Sequence, residues 1–508
     1  MAFGFKLSHR LAKNFWVLGA AAALIGCAVE GTFLEPTPPD STSDTTTTPP
    51  TPDPQPNVHA GYYASPAGSS SGDGSVGRPW DLVTALAGGN GRVQAGDTVW
   101  IRAGTYTGDF RTGISGAPGR MIVFRQYPGE RATIDGTIRM DGADVALWGF
   151  EVMRSAPSGH LPAVESRGAR QKFINLIIHD AAQQGITFWD EAIDAELYGN
   201  IVYNNGTHEN LDHGTYVHNQ SGTKLIMDNV FFNNLAYGIH VYAGPGDATQ
   251  RNVHVIGNVS FNNGTISTRY SAKGNIIIGS ESRDEGMRAV DNLLYFSGNA
   301  GENLRVGYTA SNKDVVVTGN TVWGGGTAFV VGQWQSATVQ SNMMGGSADM
   351  VSLLNSPGSY SWTSNDYFRN ANASAWRTST GSAMPLAAWK SATGLGSNDQ
   401  AVADVPGETK MSVRPNKYEP GRALVVVYNW GSQGSVSVNL GSVLRAGQKY
   451  EVRNVQNMFG SAVTSGTFNG GSISIPMGGV NPPARLGRST PTPPKTGPNF
   501  DAFEVIPL

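Results

Sequence analysis

The chain has 508 residues, 36 Lys and Arg against 39 Asp and Glu, a formal net charge of −3 and 15% charged residues. That balance excludes the basic footprint of a nucleic-acid binder, and a single cysteine excludes internal disulfides. The length allows two or three domains with a sizeable core, while 65 glycines with recurrent Asn-Gly and Asn-Asn pairs indicate short strands joined by tight turns.

The first element is a basic stretch (Lys6, Arg10, Lys13) followed by the apolar run "FWVLGAAAALIG" (15–26). These are the n-region and h-region of a secretion signal, too short for an ordinary spanning helix. The run ends in "LIGC", which resembles the lipobox of bacterial lipoproteins. The resemblance implies a signal peptide over residues 1–27 and lipidation of Cys27. With Ala28 in place of Asp after it, the implied address is the bacterial outer membrane or cell surface, with membrane contact through the lipid alone. Residues 28–60 include "EPTPPDSTSDTTTTPPTPDPQPN" (35–57), Pro/Thr-rich with almost nothing apolar. They cannot bury a core, and are expected to form a disordered, semi-rigid tether holding the rest of the chain outside the cell.

Residues 61–405 carry a period. A glycine-bounded strand, "AGDTVWIRAGTY", follows the short amphipathic segment "RPWDLVTALAGG", which is expected to cap the open edge of what comes next. Then "INLIIHD", "GNIVYNNG", "DNVFFNNL", "GNVSFNNG", "DNLLYFSG", "GNTVWGGG" and "SNMMG" recur, led by Asn175, Asn200, Asn229, Asn258, Asn292, Asn320 and Asn342. Each is followed by a second run, among them "GITFW", "GTYVH", "GIHVY", "NIIIG" and "NLRVG". Units of this length with several short strands each predict the coils of a parallel β-helix. The aligned asparagines are expected to bond one another along the axis and to bind nothing.

The opening "YYASPAGS…GRPW…AGDTVWIRAGTY", the "GN…NN" coils and the closing "SNDYFRNANASAW…PLAAWKSATGLGSND" (364–399) resemble the right-handed parallel β-helix proteins of the pectate lyase superfamily. The nearest named neighbours are polysaccharide lyases of the chondroitinase B and alginate lyase type. The resemblance implies the fold more strongly than the reaction, because this scaffold carries lyases, hydrolases, epimerases and binders. Residues 409–508 alternate apolar and polar positions between turn signals, as in "ALVVVYNW" and "SVSVNLGSVL". That predicts a small antiparallel β-sandwich and an all-β chain overall.

Seven of the nine histidines lie between His160 and His254, four of them in "HENLDHGTYVH" (208–218) and "YGIHVY" (237–242). Stacking the second run of each coil sends Ile186, Phe188, Val217, Ile239, Val241, Leu304 and Val306 inward. Thr187, Trp189, Tyr216, His218, His240, Tyr242 and Arg305 then share the outer face, with Tyr216 beside His240. Asp212 and His213 enter that strand at its leading end, and Lys273 falls near the same end one coil on. His160, His179 and His254 lack stacked partners and are expected to be structural; His208 sits in a turn without an assigned role.

Tyr, His, Lys and Arg supply what β-elimination from a uronate polymer needs: a base at C5, an acid at the leaving O4 and a stabiliser of the C5 carboxylate. The lyases this chain resembles use a Tyr/His or a Lys/Arg pair. The resulting assignment is His213 or Lys273 as base, Tyr216 as acid and Arg305 with His240 on the carboxylate, with Trp189, His218 and Tyr242 binding sugar. A C5-epimerase would use the same groups. A glycoside hydrolase would need paired carboxylates, for which Asp190, Glu191 and Asp194 are the candidates. A non-catalytic surface β-helix would use Trp148, Trp189 and Tyr242 simply to stack on sugar rings. No cofactor is required by the sequence, and no metal ligand set is assigned. Calcium is the ion the acids would take, a zinc site from His213 and His218 is disfavoured by their spacing, and the expected state is a monomer.

Overall fold

A computed structural model describes residues 60–156, 159–269, 273–403, 405–488 and 490–508. The secretion signal, Cys27 and the tether lie outside the described residues.

Short β-branched runs separated by left-handed turn residues wind the chain into a parallel solenoid. One face is a 12-stranded sheet running from Tyr62–Ala64 to Ser359–Thr363. The other two faces are ladders of a single 22-stranded sheet, joined where the strands Gly104–Thr112 and Ala132–Met140 cross both without a bend. At that crossing the coils approach so closely that a Cβ on Gly136 would lie 1.8 Å from the Gly108 carbonyl oxygen. A typical coil therefore has three strands, such as Glu196–Tyr198, Ile201–Tyr203 and Thr215–Val217.

Inward positions form one continuous core from Trp80 to Trp389, containing the seven residues assigned inward from the alternation. At its first end lies the helix Leu82–Leu86, where the Asp81 carboxylate accepts the Thr84 N–H at 2.8 Å and Leu82, Ala85 and Leu86 are buried. At the other end lies the helix Leu386–Thr393, with Leu386 and Trp389 buried.

The asparagines at the first turn do form a ladder. Asn200 donates both its backbone N–H and its side-chain amide to Asn229 Oδ1, each at 2.9 Å. The pattern repeats through Asn258, Asn292, Asn320, Asn342 and Asn365 to Asp399. Asn175 is not a member. Ile174 pairs with Tyr198, so Asn175 aligns with Gly199 and takes the turn's positive φ of 50°. Leu176 occupies the ladder position, and its N–H caps the stack on Asn200 Oδ1 at 2.8 Å.

From Lys410 onward the strands are antiparallel: a 5-stranded sheet and the two-stranded pair Ser435–Asn439 with Ser472–Pro476. The final strand, Phe500–Pro507, lies between Ala423–Tyr428 and Lys449–Asn454. One face of the larger sheet (Val425, Val427, Val452, Phe503) packs on the smaller pair. Its other face (Leu424, Val426, Tyr428, Phe500) packs on outward aromatics of the solenoid, Tyr203, Phe232, Phe261 and Tyr295. Tyr203, Phe232 and Phe261 stack at 4.8 and 4.9 Å between ring centroids, and Phe500 stacks on Tyr295 at 4.5 Å. Such a run of exposed aromatics requires a cover, and this sheet is the cover.

Candidate active-site cleft

The third strand of each coil positions the site. Thr187, Tyr216, His240, Ile277 and Arg305 are successive register partners across the coils. Because strand side chains alternate, all five point away from the core. Their face lines a cleft of about 450 Å3, walled by Trp189, His213, Tyr216, His240, Tyr242 and Lys273 together with Tyr237 and Tyr308.

His213 and His240 are locked as a pair. The Tyr237 N–H donates to His213 Nδ1 at 3.2 Å, so that nitrogen carries no proton. His213 Nε2–H then donates to His240 Nδ1 at 2.7 Å, which leaves the second proton on His240 Nε2. Burial, and secondarily Lys273, pushes His213 down to about 3. Burial also holds His240 well below its ordinary value, with His213, His218 and Lys273 adding to the effect. Two neutral imidazoles result, the front one presenting a donor.

Tyr216 is half-buried, its hydroxyl 3.0 Å from His218 Nε2 and its ring 5.4 Å from that of His240. Burial raises its pKa, with Tyr242, Asp247 and Asp190 contributing. Lys273 is half-buried, and its ammonium makes no hydrogen bond or ion pair among the described residues. Burial lowers its pKa; Glu302 opposes that and Arg305 adds to it. Trp189 stands edge-on to His218 at 5.5 Å, fixed by its indole N–H on Glu165 at 3.0 Å.

Other candidates are placed elsewhere. Arg305 holds the expected register but does not line the cleft: its guanidinium bonds Glu302 at 2.9 Å and the Gly307 carbonyl at 3.1 Å. Trp148 is enclosed by Arg125, Tyr418 and Glu419 at the junction with the C-terminal sheets. Asp190, Glu191 and Asp194 lie in the turn after the strand Ile186–Phe188, bonded respectively to Gln220, Arg167 and the Thr223 N–H. Among the described residues, Asp212 is the one carboxylate in the cleft lining. At the rim His160, His208 and Asp212 bring their donor atoms within 4.8 Å of one another, a set that could hold a divalent ion.

Tyr237 and Tyr308 were not assigned from sequence. Tyr237 stands in "YGIHVY" immediately before the glycine used for alignment, and an aromatic adjacent to a site strand was the available signal. A second cavity of about 500 Å3 lies between Trp323 and Phe368, and among the described residues Arg369 is the charged side chain that lines it.

The solenoid is a right-handed parallel β-helix of the pectate-lyase-like kind, with a cleft on one outer face. Residues 62–321 match the family described as the Pel9A-like, right-handed β-helix region, and the chain belongs to that family. A 74-residue stretch is 38% identical to the uncharacterized protein YwoF of Bacillus subtilis (strain 168), so the match spans 15% of each chain. Among solved structures, pectate lyase Pel9A is similar at 16% identity and a TM-score of 0.41, covering 68% of this chain and 78% of that one. An alginate lyase from Paenibacillus sp. str. FPU-7 aligns at 18% identity and 0.39, over 56% of this chain and 95% of its own. A GH136 lacto-N-biosidase from Eubacterium ramulus aligns at 12% and 0.33, over 60% and 67%.

Proposed function

We propose that the protein cleaves an acidic, uronate-containing polysaccharide by β-elimination outside the cell, tethered through a lipidated Cys27. The observation that carries this reading is the donor set that the described residues bring to the cleft: one amine, tyrosines and neutral imidazoles, with a single carboxylate. Glycoside hydrolysis requires two carboxyl groups flanking the bond. Asp212 alone lines the cleft, and its oxygens are engaged by His160 and by two backbone N–H groups.

In this reading Lys273, as the neutral amine, takes the C5 proton. The electron pair forms the C4–C5 double bond, the C4–O4 bond breaks, and Tyr216 gives its hydroxyl proton to the departing O4. His240 Nε2–H faces the C5 carboxylate, where negative charge builds. His213 fixes the tautomer and orientation of His240; with both nitrogens bonded, it is less suited than Lys273 to be the base. Arg305 acts from behind the wall, adding to the burial that lowers the Lys273 pKa. His218 hydrogen-bonds the acid, and Trp189 and Tyr242 offer ring faces to sugars.

The test is incubation of the purified protein with a panel of uronate polymers, following near-ultraviolet absorbance and reducing ends together. The lyase reading expects both to rise in parallel as 4,5-unsaturated ends form. Reducing ends without absorbance would make it a hydrolase. Deuterium uptake at C5 without cleavage would make it an epimerase, and retention on a polymer without turnover a binding module.

A further inference from the structure

We propose that His160, His208 and Asp212 are the protein ligands of a zinc-class transition-metal site on the rim of the cleft. The inference stands apart from the lyase reading, because none of the three ligands has a role in the elimination step. His208 and Asp212 lie four residues apart on one turn, closed by the Asp212 and Leu211 N–H groups on the His208 carbonyl at 3.1 and 3.2 Å. His160 reaches them from an earlier coil: its Nε2 lies 3.0 and 3.1 Å from the two Asp212 oxygens, and its ring sits 4.0 Å from that of His208.

Two of the three ligands, Asp212 and His160, are already held by hydrogen bonds. Asp212 is buried, and its Oδ2 accepts the Thr207 and His208 N–H groups at 2.7 and 2.6 Å, leaving Oδ1 to His160. His160 Nδ1 lies 3.4 Å from the Gln183 side-chain amide, which can only donate, so Nε2 carries the proton that a metal would replace. Glu209 pins the turn from outside by accepting from Ser267 Oγ and Thr268 Oγ1, both at 2.7 Å. Outer contacts of this kind hold metal ligands in place before the ion arrives.

Ligand chemistry selects the ion. Calcium takes six to eight oxygens, whereas this set offers two imidazoles and one available carboxylate oxygen. Two nitrogens and one oxygen suit zinc and its neighbours. Three protein donors leave a four-coordinate ion one position for water or an acidic ligand.

The test is calorimetric titration of chelator-stripped protein with ZnCl2 and, separately, CaCl2. The expected result is one zinc per chain with a Kd of about 10 μM or tighter, accompanied by proton release, and calcium binding that is weaker or absent. His160→Ala and His208→Ala should each weaken zinc binding by about 100-fold, at least the effect of losing an outer contact. Both residues are exposed, so the variants should fold. His240→Ala should leave zinc binding unchanged, which separates this site from the neighbouring His213–His240 pair. Saturating zinc should raise the melting temperature of wild type and His240→Ala, but not of the His160→Ala/His208→Ala double variant. Absence of stoichiometric zinc, equal binding by the double variant, loss in His240→Ala, or tighter calcium than zinc would each overturn the proposal.

Discussion

Tyr216 is the residue at which chemistry and packing are best separated. Tyr216→Phe removes one hydroxyl and keeps the ring among Trp189, His213 and His240. Loss of a positioned acid should lower kcat by about 100- to 10,000-fold with little change in KM. The variant also loses its contact to His218 at 3.0 Å, so stability should fall by about 1 kcal/mol and no more. Steady-state kinetics on whichever polymer the panel identifies, beside a denaturation curve, checks both expectations. Full activity in a folded Tyr216→Phe protein would transfer the acid role to Tyr237 or Tyr242. Much of this neighbourhood was legible in the sequence, because alternation along "GTYVH" and "GIHVY" puts Tyr216 and His240 on one face and one ladder step apart. The partnership of His160 with Asp212 was not: 52 residues separate them, and it depends on a loop whose path no local pattern encodes. The commitment of Arg305 to Glu302 was hidden for a related reason. Strand register places a Cα, while the tip of a long side chain goes to the nearest opposite charge.

At the scale of the element, the coil is defined by its first turn. Each ladder asparagine satisfies two N–H groups of the preceding coil and passes its own amide to the next, so the stack removes buried polar groups that would otherwise be unpaired. Asn258 shows the magnitude at stake. It accepts from the Asn229 N–H and amide at 3.1 and 2.9 Å, and donates to the Ile226 carbonyl at 2.7 Å and to Asn292 Oδ1 at 3.1 Å. Asn258→Ala should therefore cost about 3 kcal/mol or more, from two stranded donors at roughly 1–3 kcal/mol each. The urea midpoint should fall while the cleft keeps its residues. A midpoint within error of wild type would mean that the stack is incidental to stability. The repeat of asparagine and β-branched residues made the parallel coils legible in the sequence, yet the register slipped at Asn175. Asparagine is favoured both in the ladder and at the positive-φ position before it, and spacing alone does not distinguish the two. Leu176 settles it, since an apolar side chain can end a polar stack but not continue one.

At the scale of the whole molecule, the C-terminal sheets do more than cover aromatic surface. They close over a buried ionic cluster: His179 lies between the Asp180 carboxylate and the Glu151 carboxylate, 2.8 Å from each, and stacks on Tyr203 at 4.7 Å. From the other side, Phe459 faces the His179 ring and packs beneath the Arg131 guanidinium, while the Leu486 N–H bonds Asp180 at 2.9 Å. With a carboxylate on each ring nitrogen, both nitrogens must donate, so the ring is an imidazolium. Burial alone would lower its pKa, but Asp180 and Glu151 together outweigh burial and raise it above 6.5. For Glu151, burial pushes upward and is outweighed by His179, Thr133 and Arg131, so its pKa lies below 4.5. A raised histidine stabilises the fold fully below its unfolded value of about 6.5 and ceases to do so as pH rises through the folded value. A depressed glutamate stabilises above about 4.5 and ceases to do so as pH falls through its folded value. The cluster should therefore contribute most between roughly pH 4.5 and 6.5, and weaken through His179 as pH rises above that window and through Glu151 as it falls below it. Melting temperatures across that range and above, for wild type and His179→Gln, provide the measurement. The difference between the two proteins should be largest near pH 5.5 and shrink as pH rises. A difference that stays constant with pH would mean that His179 is neutral, and that it joins the two parts of the molecule by packing on Tyr203 and Phe459 alone.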